Sequence, residues 1–236
     1  MIDALKQIGN SIVLVGPEKD YRFLDGWGHV KKYIPNAGED YITANSWTHT
    51  QTGSNTWTNS ATAGEDFILT TPATDFAGYS SQLLGTQFIV ASGKPFCITG
   101  QFKLSDATQT DFLFGLSDVD TTLTAASSSH ALAVGGSALF FSKLDGVTAI
   151  KANVYVGGAA VATATLNTVM DTSFHTYDIY SEDGVTVKFA FDGVDVACFS
   201  TGLPVLSMTP SLSFRAGEGV AKTLTAKDFK AVQVFS

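Results

Sequence analysis

Between Val185 and Phe191 the chain alternates strictly. Val185, Val187, Phe189 and Phe191 fall on one side, Thr186, Lys188 and Ala190 on the other. A period of two is the mark of a strand that buries one face. Asp183-Gly184 and Asp192-Gly193 bracket this run. Two-residue hairpin turns of type I′ need positive φ at both central positions, and Asp and Gly tolerate it best. Residues 174–200 therefore predict a three-stranded antiparallel meander.

The rest of the chain repeats this texture. Ser46–Thr58 alternates polar with aromatic residues around a turn at Gly53. Asp66–Thr71, Ser81–Val90, Phe96–Leu104, Ser137–Lys143, Val147–Val156, Ser211–Ala216 and Leu224–Phe235 read as further strands, with Pro72, Pro95 and Asp145-Gly146 as breaks. Phe112–Leu116 is apolar throughout, which predicts burial on both faces. Roughly thirteen strands with a turn signal about every ten residues predict an all-β fold, a two-sheet antiparallel β-sandwich.

Only the first twenty residues depart from the pattern. Ile2, Leu5 and Ile8 have helical spacing, Asp3 suits a cap and Gly9 a stop, so a one- or two-turn helix is expected there, followed by a strand at Ser11–Val15. A helix this short is unstable alone and needs a docking surface. The expected organisation is an N-terminal arm at 1–20, docking on its own domain or on a partner, and a sandwich at 21–236. Ile2, Leu5, Ile8, Ile12 and Leu14 are the arm's candidate interface residues.

Composition narrows the function classes. The chain has 236 residues, of which 15% are charged, and its net charge is −8. Arg22 and Arg215 are its two arginines. With no basic patch to release counterions, neither nucleic acid nor an anionic membrane is an expected partner. No secretory signal or membrane-length apolar run is visible, so synthesis in a cytoplasm is expected. Cys97 and Cys198 lie in apolar runs without CxxC spacing or an adjacent His. They read as buried thiols, with a disulfide across the sandwich as the alternative.

Candidate chemistry is sparse. The five glutamates, Glu18, Glu39, Glu65, Glu182 and Glu218, sit in turn-like contexts, not at the E-x-D-x-x-E spacing that aims two carboxylates at one glycosidic bond. Asp106, Asp111, Asp118 and Asp120 offer oxygens for calcium, but turn chemistry accounts for them equally well. His29, His49, His130 and His175 are scattered. Ser129 and His130, as neighbours on an extended chain, point to opposite faces. No catalytic, cofactor or metal residues are assigned, and the chain is not expected to be an enzyme. Trp47, Trp57, Tyr41 and Tyr79 suit either a core or a sugar platform. Trp47 reads as core, while Trp57, with polar neighbours and Asn59 close by, is the candidate glycan contact.

Several stretches carry a resemblance. Phe23-Leu24-Asp25-Gly26-Trp27, Trp47–Gly53, Phe88–Ile98 with Gln101–Leu104, Phe114-Gly115-Leu116, Phe189–Gly193 and the closing Leu224–Phe235 resemble the strands of concanavalin-like (lectin/laminin-G-type) jelly rolls, and more narrowly those of tailed-bacteriophage virions. The resemblance spans most of residues 21–236. It implies a jelly-roll β-sandwich and, for a virion protein, a capsid decoration (cement) role on the outer shell. The partners it implies are the major capsid protein and further copies of this chain, in a trimer. The alternative is a carbohydrate-binding, receptor-recognition module of a head or tail fibre. Fold motifs of this kind serve binding and structural proteins alike.

Overall fold

A computed structural model of the chain describes residues 4–8, 11–15, 30–33, 47–62, 66–83, 88–118, 123–124 and 129–234. The alternating runs form two antiparallel sheets. The first has seven strands in the order β12 (Ala159–Val169), β11 (Ala149–Val156), β10 (Ala138–Lys143), β9 (Thr110–Ser117), β16 (Thr209–Ala216), β7 (Gly78–Leu83) and β4 (Trp47–Thr52). The second runs β15 (Val194–Phe199), β14 (Val187–Phe191), β13 (His175–Ser181), β8 (Phe96–Leu104), β17 (Thr223–Val234), β6 (Phe67–Thr70) and β5 (Thr56–Asn59). A further strand, β3 (Val30–Tyr33), pairs with the end of β17. The architecture is the expected all-β jelly-roll sandwich.

The N-terminal expectation changes. Ala4–Ile8 is a strand, β1, and not a helix; it pairs in register with β2 (Ser11–Val15), Leu5 opposite Leu14 and Gln7 opposite Ile12. A paired strand supplies the backbone hydrogen bonds that a two-turn helix cannot hold alone. Ile2 lies outside the described residues.

Alternation decides the core. Phe112, Phe114 and Leu116 of β9, Leu139 and Phe141 of β10, and Leu212 and Phe214 of β16 face the second sheet. There they meet Phe102, Tyr177, Phe189 and Phe229, with ring centroids 4.8 Å apart for Phe102–Phe114 and 5.1 Å for Phe141–Phe189. Each such ring contributes roughly 2–3 kcal/mol by leaving water. Trp47 joins this core, as expected. Gly115 lets β9 and β10 close: a Cβ there would stand 2.1 Å from the Leu139 carbonyl oxygen.

The middle of the seven-stranded sheet's outer face is buried as well. Leu113, Leu123, Val134, Ala138 and Phe140 form a second cluster beneath the β9–β10 connection, so Phe112–Leu116 is covered on both sides, as its composition predicts. Beside it runs a polar seam, in which Gln82 Nε2 donates to Ser117 Oγ (2.6 Å), Ser211 Oγ (3.0 Å) and the Asp118 carbonyl (3.0 Å).

The meander is present with one altered turn. Asp192 and Gly193 both have positive φ, 50° and 78°, as a type I′ turn requires. At the first turn only Gly184 does, and Asp183 Oδ1 instead caps a wider loop by accepting the N–H groups of Val185 and Thr186. Val185 is consequently 46% exposed.

Candidate functional site

The short β8–β9 connection, residues 105–109, joins the two sheets at one end of the sandwich and fixes which other connections meet there. Gly217 N donates to Gln109 O (3.0 Å), Gly146 N to Thr108 O (3.0 Å), Phe76 N to Ala216 O (3.1 Å) and Thr71 N to Lys222 O (2.9 Å). The β6–β7, β10–β11 and β16–β17 connections thus converge with it. This rim is densely charged.

Its centre is His130. The long β9–β10 connection leaves the far end at Asp118 and folds back over the outer face, pinned by Leu123 and Val134 and by the Ala133 N to Leu123 O bond (3.1 Å). That path delivers His130 to Asp111, whose side chain is 1% exposed. Nδ1 of His130 lies 2.7 Å from Asp111 Oδ2, and Nε2 lies 3.2 Å from Asp75 Oδ1 and 3.8 Å from Asp145 Oδ2. Asp111 Oδ1 accepts the Asp145 N–H (2.8 Å). Phe76, at φ 63°, stacks on the imidazole with centroids 4.3 Å apart, and its carbonyl accepts from Arg215 Nε (3.2 Å). A bulky residue held at positive φ is strained, and its neighbours hold it there.

The other charges of the rim are tied down. Burial pulls the Lys143 ammonium down to about 8, against the carboxylates of Asp111, Asp145 and Asp106; it donates to the carbonyls of Thr108 (2.7 Å) and Thr110 (2.5 Å). Burial would raise the Asp106 carboxyl, but the N–H groups of Gln109 and Thr108 and the Lys222 ammonium hold it down to about 2. Lys222 also binds Glu218. Burial raises the Asp145 carboxyl, and the nearby imidazole of His130 opposes that rise.

A second histidine stands at the same end on the other sheet. His175, opposite Phe102 at the end of β8, has Nδ1 2.8 Å from Asp192 Oδ2 and Nε2 3.0 Å from Asp171 Oδ1. Its ring stacks on Phe191 of β14, with centroids 4.9 Å apart.

The residues singled out from sequence fall differently. Trp57 is half-buried at the start of β5, stacked on His49 (4.9 Å) and edge-on to Tyr79 (5.2 Å), while Asn59 is exposed two residues along. Leu5, Ile8, Ile12 and Leu14 lie in the β1–β2 hairpin. Asp111 and Asp118 stand at opposite ends of β9, roughly 24 Å apart at strand rise, so they do not share one ion, and Asp120 lies outside the described residues. Among the described residues no group of three or more His, Cys, Asp or Glu is arranged to hold a metal. The two cysteines are free; Cys97 is buried, but Cys198 is exposed, which corrects the expectation of two buried thiols. The His130 cluster carries no spacing signal, because Asp111 lies 19 residues and Asp75 lies 55 residues away; at His175, Asp171 is four residues away and Asp192 belongs to the Asp-Gly turn, a local signal that sequence reasoning passed over.

No protein-family model matches the chain, and no curated protein matches it. Solved structures do. It resembles the β-glucanase of Bacillus licheniformis at 13% identity over 89% of this chain and 99% of that one, with a TM-score of 0.56. The metal-free carbohydrate recognition domain of Emp46p matches at 13% identity over 84% and 94%, with a TM-score of 0.55. A carbohydrate esterase from the Shiga toxin-encoding bacteriophage phi24B matches at 17% identity over 88% and 100%, with a TM-score of 0.52. At these identities the likeness is one of fold, a fold used by binding domains and enzymes alike.

Proposed function

We propose that this chain is a carbohydrate-binding domain that receives glycan at the charged rim and serves as a receptor-recognition module of a phage head or tail fibre. The observation that carries this reading is the convergence of connections from both sheets on one end, with carboxylates held in fixed positions. Asp75, 44% exposed, is the outermost of the three around His130. Fixed carboxylates accept hydrogen bonds from sugar hydroxyls, and the half-buried Trp57, with Asn59 nearby, supplies an aromatic edge. The kinship in fold with carbohydrate recognition domains supports the same reading. Cleavage is not proposed: Glu182 and Glu218 lie in turns, and Glu218 is spent on Lys222.

The test is a glycan array followed by calorimetry. The expected result is binding that Asp75→Asn or Trp57→Ala weakens about tenfold, a loss of roughly 1.4 kcal/mol, without loss of fold. No binding to any glycan would end this reading, and release of reducing ends from a β-glucan would replace it with an enzymatic one.

Capsid decoration is the second reading, favoured by one observation: the β1–β2 hairpin forms a two-stranded sheet separate from both main sheets. Such a hairpin suits an arm docked on the major capsid protein beneath a trimer of this chain. Counting copies per particle decides it, since hundreds of copies fit decoration and a handful fits a fibre.

A further inference from the structure

We propose that His130 and His175 form a pair of proton-operated latches that close the rim when both ring nitrogens are protonated. The inference concerns the order of the rim and stands independently of what the rim binds. A neutral imidazole has one N–H and one lone pair, so it can donate to a carboxylate from one nitrogen only. Here carboxylates face both nitrogens of both rings. For His130 they are Asp111 at 2.7 Å on Nδ1 and Asp75 at 3.2 Å on Nε2, with Asp145 at 3.8 Å behind it. For His175 they are Asp192 at 2.8 Å on Nδ1 and Asp171 at 3.0 Å on Nε2. Only the imidazolium satisfies such a pair. Losing one proton leaves a lone pair facing an anion, and that contact turns repulsive.

The two partners of each ring are unequal, which decides where a latch opens. Asp111, buried, and Asp192, 45% exposed, each accept a backbone N–H on the oxygen turned away from the ring, from Asp145 and Thr176 (2.8 Å each), so both stay in place. Asp75 and Asp171 are 44% and 61% exposed, and each accepts a backbone N–H, from Phe76 (2.9 Å) and Ser173 (2.6 Å), on the same oxygen that faces the ring, so water competes for the ring contact there. Each latch therefore opens on its Nε2 side and loosens the connection that carries its outer carboxylate, residues 71–77 at His130 and residues 170–174 at His175. The remaining charges facing these rings are cations. Arg215 of β16 lies over Phe76 (5.5 Å), Lys143 of β10 is bonded to Thr110, and Lys103 and Lys227 lie over Phe174 beside His175 (4.7 and 4.3 Å). They oppose the second ring proton without replacing it, since none contacts an imidazole nitrogen.

The sign follows. Each latch is closed while its ring carries both protons and opens when rising pH removes one; protonation of the carboxylates opens it again in strong acid. The test joins ring-nitrogen NMR with hydrogen exchange, corrected for the intrinsic rate, at about pH 5.5 and about pH 8. The expected result is two doubly protonated histidines at the lower pH. At the higher pH, exchange in residues 71–77 and 170–174 is faster by roughly two- to fivefold, the range of a partly exposed ion pair. Asp75→Asn and Asp171→Asn, at exposed positions that leave the fold intact, remove the pH dependence of their own segment only. Singly protonated rings at the lower pH, unchanged protection between the two pH values, or the same dependence in both variants would each overturn the proposal.

Discussion

Asp178 sits on the outer face of β13, and burial raises its carboxyl to about 6, against a side-chain hydrogen bond with Thr99 that lowers it. A raised carboxyl binds its proton more tightly in the folded chain, so this group's contribution to stability falls as pH rises from about 4 to about 6 and stays low above. Asp178→Asn removes that loss. The variant is expected to gain on the order of 1–3 kcal/mol at pH 7, and the gain should vanish below about pH 4; thermal melts at the two pH values check it. Along the same face Cys198, Lys188, Tyr180 and Cys97 stand in one cross-strand row. Three strand spacings put the two cysteines roughly 14 Å apart, beyond the ~7 Å that a disulfide tolerates between Cα atoms. A thiol reagent should therefore find one reactive group, Cys198, in the native protein and two after denaturation, and a reductant should leave the melting temperature unchanged.

At the scale of elements, the strands legible in the sequence are those whose apolar residues are large. Val187, Phe189 and Phe191 declare β14, and Phe112–Leu116 declares a strand covered on both faces. β12 is silent, because Ala159–Val169 is mostly Ala and Thr at an open edge and its register with β11 is broken twice by bulges. The N-terminal strand reads as a helix because three apolar residues at i, i+3 and i+6 fit a helix on their own, and only the partner at Ser11–Val15 decides for the sheet. The rim is illegible for a different reason: His130 meets Asp111 and Asp75 only after the β9–β10 connection has folded back across the sheet. Gly115 shows the opposite case, a residue whose role is set by one element lying on another. Gly115→Ala would drive a methyl into the β10 backbone, with the Leu139 carbonyl oxygen at 2.1 Å and Phe140 Cα at 2.6 Å. We expect a loss of more than about 2 kcal/mol, read as a lowered denaturant midpoint, because neither strand can yield without disturbing its other neighbour.

Across the whole molecule a few carboxylates, at the rim, on the outer face of β13 and in the β13–β14 turn, set the response to acid. With a net charge of −8, mild acid relieves repulsion among surface carboxylates. Asp178 and Asp145, both raised by burial, add stability in the same direction as pH falls. Opposing them are Asp106 and Asp183, whose carboxyls are lowered by backbone hydrogen bonds that prevail over burial. Their contribution is complete above the ordinary carboxylate range and is lost only as pH falls through it, for Asp106 down to about 2. The two trends cross on the acid side of neutrality, so the melting temperature should peak at roughly pH 4.5–5.5. Asp106→Asn tests the descending side. It releases Lys222 and weakens the caps on Thr108 and Gln109, so its melting temperature should fall below wild type at pH 5 and converge with it near pH 2. A peak at pH 8, or a variant whose deficit persists unchanged to pH 2, would mean that these carboxylates do not govern the pH dependence of stability.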